Sequence, residues 1–126
     1  MDSEAQELRR LVIEEIEMLA LPSKQLAYES SLRDHVGHAP TELINVFCND
    51  LFNPKSPVFV DAFSWGELKE LAHLYGLIRE ASYGRPSTVT EMLKDPDWRR
   101  VVAFAKDLLM RLKRQPRDIR RGTVTR

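Results

Sequence analysis

Phe63-Ser64-Trp65-Gly66-Glu67-Leu68 is the stretch on which the fold turns. Ser64 and Glu67 have capping-box spacing: a serine hydroxyl can accept from the backbone three residues on, and the glutamate can reach back. Phe63 and Leu68 flank them at the positions of a hydrophobic staple. A helix therefore starts here. Leu68, Leu71, Ala72, Leu74, Tyr75 and Ile78 recur beyond it at helical spacing and are expected inward. Lys69, Glu70 and His73 fall on the outer side.

Reading towards the C-terminus, 82–87 holds Gly84 and Pro86 and reads as a turn. Thr88 and Glu91 form a second capping box, opening a short helix over 88–94. Asp95-Pro96 is a fresh start, with aspartate as N-cap and proline in the first helical position. Trp98, Val101, Val102, Ala105, Leu108, Leu109 and Leu112 then make an apolar stripe to about residue 114. Towards the N-terminus, Pro54 and Pro57 argue against helix throughout 53–62, and Val58-Phe59-Val60 reads as extended. Pro40 and Thr41 are expected to open a helix running to about Phe52, with Leu43, Ile44, Phe47, Cys48 and Leu51 on its apolar side. Ser23 is expected to cap a helix over 23–35, through Leu26 and Leu32, that Gly37 stops. Residues 4–20 are amphipathic, with Ala5, Leu8, Val12, Ile16 and Leu19 inward. The spacing thus predicts an all-α, compact single domain of five to six helices over 1–114, and a basic, disordered tail over 115–126.

Composition fits such a domain. The chain has 126 residues, 43% apolar, enough to bury a core without disulfides or metal staples. One cysteine and no apolar run of membrane-spanning length point to a cytoplasmic protein without a Sec-type signal. Charge sums to zero, which excludes a strongly basic nucleic-acid coat, yet it is unevenly placed. Residues 1–98 carry 17 acidic and 9 basic side chains, whereas 99–126 carry 10 basic and 2 acidic.

Catalytic signals are sparse. His35, His38 and His73 lack metal-ligand spacing. Cys48 lies on an apolar helix face, where thiols pack rather than react. No serine stands in a Gly-x-Ser-x-Gly context and no glycine-rich phosphate loop is present. Carboxylate pairs such as Glu14/Glu15 and Glu67/Glu70 are explained by their helical settings. A helix-turn-helix reading of 88–114 places Asp95 and Asp97 where base contacts are made, and these acids would repel phosphate. The expectation is a protein that is not an enzyme, with no cofactor and no metal. The alternative is a helical nucleic-acid-binding regulator using Arg99, Arg100, Arg114, Arg117, Arg120 and Arg121.

Taken together, the pattern resembles the small helical immunity proteins of bacterial contact-dependent growth inhibition and polymorphic-toxin systems. The resemblance lies in Leu19-Ala20-Leu21-Pro22 with Gln25-Leu26-Ala27-Tyr28, and in Glu42-Leu43 with Phe47 and Asn49-Asp50. It continues in Phe63-Ser64 with Glu67-Leu68, and in Asp95-Pro96-Asp97-Trp98 with Ala105 and Leu108-Leu109. It covers about residues 8–112; the 53–62 stretch and the Arg-rich tail have no place in it. It implies a non-catalytic partner of a cognate toxin domain, a protein and often a nuclease, with no membrane role. A nuclease cleft is basic, so acids on the inhibitor would complement it. Glu42, Asp50, Asp61 and Glu70 are the expected contacts, with Trp65 and Tyr83 as aromatic anchors.

Overall fold

The computed structural model describes residues 3–32 and 38–114, and these are all-α. Seven α-helices are present among the described residues: α1 (Ser3–Ala20), α2 (Pro22–Leu32), α3 (Ala39–Asn45), α4 (Pro57–Ala62), α5 (Trp65–Ser82), α6 (Val89–Met92) and α7 (Pro96–Arg114). A π-helical turn, Val46–Leu51, continues α3, and its register is set by the Phe52 N–H donating to the Phe47 carbonyl at 2.8 Å. The tail over 115–126 lies outside the described residues, as do His35 and the expected stop at Gly37.

Helix α1 packs against α7 and α4, α5 packs against α7, and α2 with α3 closes one end. One continuous core joins them, with Trp98, Phe47, Phe59, Ile16, Leu19, Leu71, Leu74 and Ile78 fully buried. The Phe52 ring stacks on Phe47 with centroids 5.5 Å apart. It also stacks on Tyr75 at 5.0 Å. Phe59 meets it edge-on at 5.5 Å. Stacked and edge-on contacts are the arrangements that the ring quadrupoles favour. The π turn and α4 are thereby tied to α5.

The start of α5 is the one expected. The Ser64 hydroxyl accepts from the Glu67 N–H (3.2 Å), and Glu67 accepts from the Ser64 N–H (2.8 Å). The same Glu67 takes a two-pronged ion pair from Arg9 on α1, at 2.9 and 3.0 Å. Such a fork is among the stronger charge-assisted contacts. Arg9 is only 6% exposed; it also donates to the Ala62 carbonyl and lies over the Phe63 ring. Burial pushes the Glu67 carboxyl up, but the Arg9 fork and the Ser64 N–H outweigh it and leave it below the usual range.

Several local expectations are corrected. Val58-Phe59-Val60 is helical rather than extended, because Ser56 caps α4 and Pro57 occupies its first position. Helix α2 begins at Pro22, with Leu21 supplying the first acceptor carbonyl, so Ser23 lies within it. Gln25, not Leu26, is its buried residue, and Leu26 is 41% exposed. Ala72 is exposed on α5. At the second capping box, Thr88 caps α6 but Glu91 reaches the Ser87 N–H instead of closing on Thr88.

Candidate functional site

Helical order determines which acids meet. Glu15 stands beside the buried Val12–Ile16–Leu19 stripe of α1, where the π turn packs against it. Its carboxyl is pushed up to about 8, by burial first and then by the charge of Asp50. Its Oε2 is buried with no hydrogen-bond partner among the described residues. The Tyr28 phenol of α2 is also raised, by burial and by the charges of Glu42 and Glu15. Glu15, Tyr28, Glu42 and Asp50 thus form one acidic zone across α1, α2, α3 and the π turn. No cation pairs with its three carboxylates among the described residues. Some other acids are ion-paired: Glu7 and Glu14 hold Arg10, Glu17 holds Lys24 and Lys113, and Asp97 holds Arg100.

Two expected contacts, Glu42 and Asp50, fall in this zone and are exposed. The other four do not join them. Asp61 is exposed on α4, at the corner leading to α5. Trp65 is 74% exposed at the start of α5, with the Lys69 ammonium 5.8 Å from its ring centroid. Glu70 is occupied by Arg111 of α7, at 2.7 Å. Tyr83 is 77% exposed just past the far end of α5. The length of that helix separates it from Trp65 by roughly 27 Å, at the usual rise per residue. Periodicity does not single out Glu15 or Tyr28 as contacts. The sequence signals for Glu15 are its pairing with Glu14 and its place at the edge of an apolar stripe.

The cations of the alternative reading are partly engaged. Arg99 turns back to the carbonyls of Leu93 (3.3 Å) and Lys94 (3.2 Å), and Arg100 pairs with Asp97. Arg114 is exposed at the end of α7. Arg117, Arg120 and Arg121 lie outside the described residues.

A groove of about 490 Å³ opens between α3 and the α5–α6 link, lined by His38, Thr41, Ile44, Asn45, Arg85 and Ser87 among others. Both nitrogens of His38 are engaged in structure. Nδ1 caps α3, lying 3.3 Å from the Thr41 nitrogen whose N–H donates to it, while Nε2 is 3.0 Å from the Ser87 carbonyl. The Nε2–H tautomer satisfies both contacts, which ties α3 to the link. Cys48 is buried, and burial pushes its thiol up to about 11 against the opposing pull of Arg79. Such a thiol stays protonated at neutral pH.

No family model, no curated protein and no solved structure matches the chain. Among the described residues no helix is long and apolar enough to cross a membrane.

Proposed function

We propose that this chain is a non-catalytic inhibitor of the immunity type, which binds a cognate bacterial toxin domain, a nuclease, through the acidic zone around Glu15. The supporting observation is a pair of exposed carboxylates, Glu42 on α3 and Asp50 on the π turn, with no paired cation among the described residues, beside a buried Glu15 whose carboxyl burial and Asp50 keep largely protonated. Acids gathered without counter-charge cost stability in the free protein and are relieved when a basic surface meets them. A nuclease cleft, built to attract phosphate, offers such a surface. On this reading the protein works in the cytoplasm, uses no cofactor and turns over no substrate.

The test is co-expression with the toxin domain encoded in the neighbouring reading frame. Growth is expected to be protected, and the two proteins are expected to co-elute in gel filtration. Charge reversal by Glu42→Lys together with Asp50→Lys is expected to weaken the complex by about a hundredfold or more. Reversal at the exposed Asp107 of α7 is expected to leave it intact. Absence of both co-elution and protection overturns the proposal.

A further inference from the structure

The outer face of α5 contains none of the residues of the acidic zone. At about 100° per residue, Trp65, Ala72, Gly76 and Tyr83 lie within about 20° of one line along the helix. Leu71, Leu74, Ile78 and Ala81, all buried, occupy the opposite side. Large aromatics therefore stand exposed at both ends of the stripe, and two small residues, also exposed, lie between them.

Among the described residues nothing requires a glycine at position 76. A Cβ placed at Gly76 meets no atom within 4 Å, and its φ is not positive. Glycine in an exposed helix interior costs about 1 kcal/mol relative to alanine. What glycine permits here is close approach by another backbone.

The stripe is also nearly symmetric about Leu74. Trp65 and Tyr83 stand nine residues to either side, and Ala72 and Gly76 two to either side. Lys69 precedes Leu74 by five residues and Glu80 follows it by six, and both lie on the same flank of the stripe. An antiparallel second copy would therefore set Trp65 against Tyr83 of the other copy and Ala72 against Gly76. Lys69 would lie beside Glu80 of the other copy, and each contact would occur twice, as a two-fold axis requires. Charge supports the match, because Lys69 and Glu80 have no ion pair among the described residues, and net charge zero leaves no overall repulsion between copies.

We propose that this face is a self-association surface, on which two copies of the chain pack α5 against α5 in antiparallel fashion. One helix per subunit gives an interface at the low end of the usual size range, so the dimer is weak, with a Kd of about 10–100 μM. Sedimentation equilibrium of the full chain from about 5 to 500 μM is expected to show a monomer–dimer equilibrium. Gly76→Gln is expected to weaken it at least about tenfold. Thermal unfolding of that variant is expected at an unchanged or higher temperature, since the new side chain has open space and better helix propensity. Lys69→Glu and Glu80→Lys should each weaken self-association, because each sets like charges together. Mixing the two variants should restore a dimer, since the mixed pair brings opposite charges together. A chain that stays monomeric throughout overturns the proposal and leaves the face to a different protein. A dimer indifferent to Gly76→Gln, or variants that fail to pair on mixing, overturns it as well.

Discussion

Glu15 is an acid held where its charge is unwelcome. Its carboxyl titrates at about 8 in the fold, raised from the ordinary 4.5 by burial and by Asp50. The folded state therefore favours the protonated form. Its contribution to stability is full below about pH 4.5 and is lost as pH rises through 8. Glu15→Gln keeps a neutral side chain of the same shape. Urea denaturation should find this variant and the parent similar near pH 4, and the variant more stable by a few kcal/mol near pH 9. An equal difference at both pH values would contradict the buried, unpartnered placement. Glu67 runs the other way: held below its usual range, it stabilises the fold above that range, and this is lost as pH falls.

Among the elements, the junction of α1, α2 and α7 depends on one amide. The Gln25 Nε2 donates to the carbonyls of Met18 and Leu19, both at 3.0 Å, and so closes the end of α1. Its Oε1 accepts the indole N–H of Trp98 on α7 at 3.0 Å. Gln25→Leu is close in size but strands the Leu19 carbonyl and the Trp98 indole N–H, and leaves the Met18 carbonyl only the Leu21 N–H at 3.4 Å. It should lower stability by about 2–4 kcal/mol in chemical denaturation, whereas Leu26→Gln, at an exposed position, should change it little. This junction shows what periodicity can and cannot reveal. Apolar spacing reads α1, α5 and α7 well because each has a wide buried stripe. It selects Leu26 over Gln25 because it does not register carbonyls left over at a helix end. Helix α4 escapes it for a related reason: β-branched residues suggest a strand, while the informative signal is Ser56-Pro57, a cap followed by a first-turn proline. The acidic zone is half legible. Glu42 and Asp50 can be named as exposed acids, but their meeting with Glu15 and Tyr28 depends on how the π turn packs against α1.

Over the whole molecule, the charge split along the sequence is partly cancelled by folding. Arg111 of α7 reaches Glu70 of α5, and Lys113 reaches Glu17 of α1, so the basic helix neutralises acids of the body across the core. The acids of the zone are among those that this exchange leaves out. The zone and the outer stripe of α5 are formed by different residues on different elements.

The placement of the two tryptophans has a practical consequence. Trp98 is sealed in the core, whereas Trp65 stands three-quarters exposed beside a lysine. Iodide in solution should therefore quench the emission of Trp65 alone while the protein is native. The blue-shifted emission of Trp98 should move to the red only when the core opens. The molecule thus carries two separate optical reporters, one for events at its surface and one for loss of its interior, and a single spectrum can tell docking from denaturation.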